Sequence, residues 1–264
     1  MDQDFDGKVA FITGGGTGIG AAVARDFVMR GGRVVLMGRR KQPLIDVASP
    51  LGGLVVEGDA ANATDVQAAL AQTIERFGGV DVLVANAGGH GMGELTQTTD
   101  ESWRLATHLN LDTAFVCARE LMPSLIQRRG NIVILSSLAG HFAGPAVVGY
   151  VTMKHALIGL TRSLARDYGR QGVRTNAVCP GWVRTAMADE QMQVLADMRG
   201  LADAGSAYAL VTKDVPLGRP AEPEEVSDAV LYLASRRASM VNGTWLMVDG
   251  GASAVDLPTI AFAS

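Results

Sequence analysis

A doubly wound parallel β-sheet with helices on both faces is the architecture this sequence predicts, on three observations. Short apolar runs recur along the chain, they are continuous rather than alternating, and stretches of helical period separate them. Continuous β-branched runs suit strands covered on both faces, and strand alternating with helix demands crossover connections that leave neighbouring strands parallel.

The first run, KVAFIT (8–13), passes directly into TGGGTGIGAAVA (13–24) and a helix. Gly16, Gly18 and Ala21 fit G-x-G-x-x-[GA], in which glycines permit a tight turn and let backbone approach a pyrophosphate held at the helix N-terminus. For this motif alone, a glycine-rich turn with no ligand is the plainer alternative. RVVLM (33–37) is the second strand and GLVVE (53–57) the third. In TDVQAALAQTIERFG (64–78), Thr64 and Gln67 stand at capping-box spacing, Val66, Leu70, Thr73 and Phe77 define one face, and Gly78 closes the helix. DVLVA (81–85), NIVILS (131–136) and VRTNAVC (173–179) complete six strands. EPEEVSDAVLYLAS begins with Pro223 and two glutamates, as a helix first turn should. Residues 186–215 are the one irregular region, a long excursion before that last helix. With no internal repeat or Pro/Gly-rich linker, residues 1–264 read as one α/β domain.

Composition narrows the function. The 264 residues are 48% hydrophobic and 19% charged, as in a globular protein with a sizeable core. A net charge of −4 gives no electrostatic case for nucleic acid or an anionic membrane, and a small-molecule substrate is favoured. Cys117 and Cys179 are too few for a disulfide framework, so the cytoplasm is expected, and neither an export signal nor a membrane span is visible.

Lys154 stands out, one of four lysines, inside the apolar GYVTMKHALIGL (149–160). Tyr150 lies four positions earlier, so on a helix the two share a face. A free tyrosine titrates near 10, too high for proton exchange at neutral pH. An ammonium about 4 Å away, at an effective dielectric of about 20, is worth about 4 kcal/mol before desolvation and would bring the phenol toward working pH. The plainer alternative is a lysine lying along a surface helix. Ser137 and Ser136 compete as strand-end hydroxyls, and Asn110, in LNLDTAF, alone reads as a backbone-satisfied helix amide. Gly-x-Ser-x-Gly is absent, and His90, His108, His141 and His155 form no His-Glu-x-x-His, so hydrolysis and metal catalysis are set aside.

In order, TGxxxGIG (Thr13 to Gly20), Asp59, NAG (Asn86 to Gly88), Asn110, Ser137, Tyr150, Lys154, Pro180-Gly181 and Asp249-Gly250-Gly251 run nearly the length of the chain. The whole resembles the short-chain dehydrogenases and reductases, with one departure: Ala85 precedes Asn86 where the family usually has asparagine. The resemblance implies a Rossmann-like fold. It also implies a nicotinamide cofactor held by Gly14, Gly16, Thr17, Gly18, Ile19 and Gly20, with Asp59 on the adenine edge and Asn86 and Gly88 beside the adenosine half. Tyr150 and Lys154 would meet the nicotinamide ribose, and Pro180, Val183 and Thr185 the carboxamide. Tyr150 would exchange the substrate proton, Ser137 would bind its oxygen, and Asn110 would hold a water linking Lys154 to solvent. Ser137, Tyr150, His141, Trp182 and Met187 form the expected substrate side, with residues 186–215 as its lid. A homotetramer through helices near 101–128 and 150–169 is also implied, the tail DLPTIAFAS packing on a neighbour.

At the end of the second strand, Gly38 stands where an acid would receive the ribose of NAD, and Arg39 follows. NADP(H) is therefore expected; NAD(H) is the alternative if Arg39 and Arg40 are merely solvated, since Thr17 supplies no second cation. Met187, Met192, Met198, Leu195, Leu201 and Leu210, with Trp182, Phe142 and Met92, suggest an adaptable apolar pocket for a secondary alcohol or ketone, or else a Met-rich core helix. Two other functions stay open. A 3-oxoacyl-carrier reductase would need a basic mouth, for which Arg128 and Arg129 are scant, and a dinucleotide sensor would turn nothing over.

Overall fold

In the computed structural model, which describes residues 3–262, seven parallel strands form one sheet in the order β3-β2-β1-β4-β5-β6-β7. They are β1 (Val9–Thr13), β2 (Arg33–Gly38), β3 (Leu54–Glu57), β4 (Val82–Ala85), β5 (Asn131–Leu135), β6 (Arg174–Pro180) and β7 (Trp245–Val248). Every residue of β1, β4 and β5 is buried, as their unbroken apolar runs require. The strand pleat sends Phe11, Leu83 and Ile132 to one face and Ile12, Val84 and Val133 to the other. The first face is covered by α3 (Ala63–Phe77), α5 (Thr113–Arg128) and α6 (Val148–Tyr168), and the second by α1 (Gly18–Met29), α2 (Lys41–Leu51) and α9 (Pro223–Ala234). The doubly wound sheet expected from the sequence is the one observed.

Three expectations change in detail. β7 is not among the six strands read from the sequence; its apolar run Trp245–Val248 forms an incompletely buried edge strand laddered to β6. In α3 the cap is Asn62, whose Oδ1 accepts from the Thr64 and Asp65 amides at 2.9 and 3.3 Å. Thr64 thus lies inside the first turn, and Gln67 donates to Glu120 on α5 at 2.8 Å instead of closing a capping box. Gly78 does end this helix at φ 80°. The excursion at 186–215 is largely helical: α7 (Ala186–Arg199) and α8 (Ala204–Val211) pack around Met192, Ala196, Ala207 and Tyr208. Thr185 and Asp203 cap them. At the far end, α9 carries the expected start, with Glu222 and Glu225 forming a reciprocal capping box.

The strand order reverses between β1 and β4, both starting crossovers in opposite directions across the sheet. A crevice opens outside the carboxyl ends of strands at such a point.

Candidate active site

A cleft of about 1050 Å³ runs along those strand ends. At its centre Thr13 ties the tips of β1 and β4 together, its hydroxyl accepting from the Asn86 and Ala87 amides at 3.0 Å each, while Asn86 Nδ2 donates to the Thr13 carbonyl at 2.9 Å. The glycine turn forms one wall: Gly14, Gly16, Thr17, Gly18 and Ile19 line it. A Cβ on Gly16 would lie 2.9 Å from Leu44 N, so only glycine lets the turn lie against α2. Gly20 does not face the cleft. A Cβ there would overlap the Gly14 carbonyl, so glycine is needed for the turn to close against α1.

One end of the cleft is lined by Gly38, Arg39, Arg40 and Asp59. Asp59 Oδ1 accepts from the Ala61 amide at 2.9 Å, and Oδ2 pairs with His108 Nε2 at 2.8 Å. Burial works against the charge of Asp59, but the Ala61 amide, His108 and the Arg39 guanidinium together hold its carboxyl below the usual carboxylate range. Both arginines are exposed on the rim.

At the other end, Ser137 follows β5, while Tyr150 and Lys154 project from the first two turns of α6. Lys154 is 5% exposed; its Nζ donates to the Leu135 carbonyl at 2.8 Å and lies 5.5 Å from the centre of the Tyr150 ring. The electrostatics differ from the simple pair expectation. Burial pushes the Tyr150 phenol up, with a hydrogen bond from Ser137 opposing it, and burial also brings Lys154 down to about 8. For both groups loss of hydration is the largest influence on the proton. Of the two candidate serines, Ser136 is occupied, donating to the Lys154 carbonyl at 2.9 Å, whereas Ser137 faces the cleft and accepts from Ala139 N at 3.1 Å.

Asn110 sits on a single π-helical turn, His108–Asp112, between α4 (Asp100–Thr107) and α5. It is buried and lies behind the cleft wall rather than in it. Its Nδ2 donates to Gly89 O at 2.7 Å, Ala106 O at 2.9 Å and His90 O at 3.3 Å, and its Oδ1 accepts from Gly89 N at 2.9 Å. The amide therefore clamps the segment after Gly88. Asn86, Gly88, Pro180, Trp182, Val183, Thr185 and Met187 line the cleft. His141 does not: it follows the short turn Leu138–Gly140, its ring packs tilted against Trp245 with centroids 4.8 Å apart, and its Nε2 lies 3.6 Å from Cys179 Sγ. His141, expected on the substrate side, thus lies outside the cleft lining.

The lining residues that sequence reasoning did not single out include His90 and Gln191, and it did not identify His108 as the partner of Asp59. For His90 a signal existed, a lone imidazole in the run GGHGMG.

Comparisons with known proteins agree with this geometry. A family model described as Enoyl-(Acyl carrier protein) reductase matches residues 14–253. Protein MoaE of Klebsiella aerogenes is 46% identical over 257 residues, covering 97% of this chain and 99% of that one. Meso-2,3-butanediol dehydrogenase of Serratia marcescens is 36% identical, over 96% of this chain and 97% of its own length. L-Sorbose reductase from Gluconobacter frateurii, solved with NADPH and L-sorbose, superposes with a TM-score of 0.89 at 31% identity, covering 95% of this chain and 98% of that one.

Proposed function

This chain belongs to the short-chain dehydrogenases and reductases, a family of oxidoreductases, and we propose that within it the protein interconverts an apolar secondary alcohol and a ketone using NADP(H). One observation carries the reading: a buried lysine amine beside the Tyr150 ring, with Ser137 next to the phenol, at one end of a cleft that continues to the glycine turn. The cleft suits a dinucleotide, because backbone rather than side chains borders it at Gly14, Gly16 and Gly18, and the N-terminus of α1 opens there with no acidic residue in its first turn.

When bound, the nicotinamide accepts or donates a hydride. The chain supplies the rest. Ser137 Oγ hydrogen-bonds the substrate oxygen, Tyr150 Oη gives that oxygen a proton in reduction and takes it back in oxidation, and the Lys154 ammonium stabilises the phenolate. Because burial raises the phenol, Tyr150 holds its proton at neutral pH, ready for reduction. Oxidation needs the phenolate and gains as pH rises, until Lys154 loses its own charge above about 8. Asn110 acts at one remove, keeping the Gly88–His90 wall in place opposite the lysine. A Cβ on Gly88 would come 3.2 Å from Asn110 Oδ1 and 3.4 Å from Lys154 Nζ, so the bare backbone lets both groups approach.

The preference for NADP(H) is supported by Arg39 and Arg40 at the rim beside Gly38, with no carboxylate on Gly38 to repel a 2′-phosphate. NAD(H) is the second reading, since the charge of Arg39 is already felt by Asp59. Initial rates with both cofactors decide between them; an NAD preference above about tenfold overturns the assignment. The apolar substrate is supported by Met92, Phe142, Pro145, Val147, Trp182 and Met187 around the mouth, with α7 and α8 as lid. Exclusive turnover of carrier thioesters would favour the acyl-carrier alternative, and cofactor binding without turnover of any carbonyl would favour the sensor. We place the protein in the cytoplasm on its two buried, unpaired cysteines. Exposed Trp103, Leu105 and Phe115 on α4 and α5 support a homotetramer, measurable by light scattering.

A further inference from the structure

Among the described residues, three without a glycine's freedom adopt positive φ: His90 at 68°, Arg129 at 48° and Ala146 at 53°. Arg129 ends α5, where a left-handed cap is ordinary. His90 and Ala146 instead stand on the two segments that meet at the substrate end of the cleft, joined where Gly93 N donates to Ala146 O at 2.7 Å and Gly93 pairs with Val147. Left-handed backbone outside glycine persists where surrounding structure enforces it, and such strain gathers at ligand sites.

The enforcement at His90 is explicit. On its N-terminal side the Asn110 amide grips both Gly89 N and Gly89 O, and it reaches the His90 carbonyl as well. On its C-terminal side Gly91 O accepts from the Tyr150 amide at 3.1 Å, so the loop is pinned to the turn that carries the phenol. A Cβ on Gly89 would contact Met187 Cε at 3.2 Å, which places the lid on the same spot. The imidazole is exposed, lines the cleft and makes no hydrogen bond among the described residues. The cleft it lines also carries the apolar side chains of Met92, Phe142, Pro145, Trp182 and Met187. A held, unpartnered hydrogen-bonding ring in such surroundings is a recognition group.

We infer that His90 is a specificity-determining residue that hydrogen-bonds a second oxygen of the substrate, so that the preferred substrates are ketones carrying a hydroxyl or carbonyl next to the reacting carbon. This rests on the oxidoreductase reading above and narrows it. A ring nitrogen can donate to a neighbouring carbonyl or accept from a neighbouring hydroxyl, while Ser137 and Tyr150 hold the reacting oxygen.

The test compares acetoin with butanone, which differ by that one hydroxyl, in the full-length wild type and in His90→Gly and His90→Asn. Both substitutions tolerate the left-handed backbone, and melting temperatures verify their folding. Wild type is expected to favour acetoin in kcat/KM by about tenfold, the worth of one sound hydrogen bond. In His90→Gly the acetoin KM rises and that preference collapses, and His90→Asn, which keeps a donor and an acceptor, recovers most of it. A wild-type preference under about threefold overturns the inference without any variant, and so does a His90→Gly effect that is equal on both ketones or confined to kcat. In each of those failures the wild type still reduces butanone, and the oxidoreductase reading stands. If no carbonyl turns over although the cofactor quenches tryptophan fluorescence, that reading fails and the inference with it.

Discussion

Replacing Lys154 with methionine separates what the lysine does for chemistry from what it does to the fold. The side chain is 5% exposed, and burial lowers its amine from 10.5 to about 8. That fall corresponds to about 3 kcal/mol against the charged form in the folded protein. Unfolded, the amine keeps its proton up to about 10.5; folded, only up to about 8. The penalty is thus fully present below pH 8 and is relieved as pH climbs through the window where only the unfolded chain holds the proton. Methionine fills the same slot without charge but forfeits the 2.8 Å bond to the Leu135 carbonyl, a loss of about 1 to 2 kcal/mol. Lys154→Met is therefore expected to be about 1 to 2 kcal/mol more stable than wild type at pH 7, and less stable by a similar amount near pH 10.5. Its turnover falls by about 10² to 10⁴. Urea unfolding of the cofactor-free protein, followed by tryptophan fluorescence at both pH values, reads the difference, provided the denaturant slopes match. A variant less stable than wild type at pH 7, or a difference that does not move with pH, refutes the reasoning.

Tyr150→Phe should lose turnover by about 10² to 10⁴ while its cofactor dissociation constant rises by no more than about tenfold, because it deletes the proton carrier and one hydroxyl contact to the nicotinamide ribose; full retained activity in steady-state rates removes Tyr150 from the chemistry. Gly91→Ala places a Cβ onto the Tyr150 amide at φ 109°. Displacing the start of α6 by about 1 Å is expected to lower kcat about 10²-fold. Its control is Gly159→Ala further along α6, where a Cβ meets nothing within 4 Å. That variant should leave kcat unaltered and raise stability by about 0.5 to 1 kcal/mol, so equal kinetic losses in the two would dismiss the geometric account.

The limits of sequence reading follow from which forces are local. The covered strands, the glycine turn before α1, the Gly78 stop and the shared face of Tyr150 and Lys154 depend on contacts within a few residues, so periodicity and spacing made them legible. Chemistry-bearing residues also announce themselves by type, which is why nearly all the expected cofactor positions line one cleft. What escaped was set by distant partners. α7 and α8 are held by each other's apolar faces, and the aim of His141 by Trp245 and Cys179. Asn110 owes its task to a loop some twenty residues earlier, which it grips from a π-turn that no spacing rule foretells. The sequence by itself determined six of the seven parallel strands and the oxidoreductase family, and it named most of the cofactor positions that line one cleft. Only the tertiary structure decided the electrostatics: the cost of drying Lys154 and Tyr150 depends on every atom packed around them, and that sum, rather than their separation of one helical turn, sets where each holds its proton.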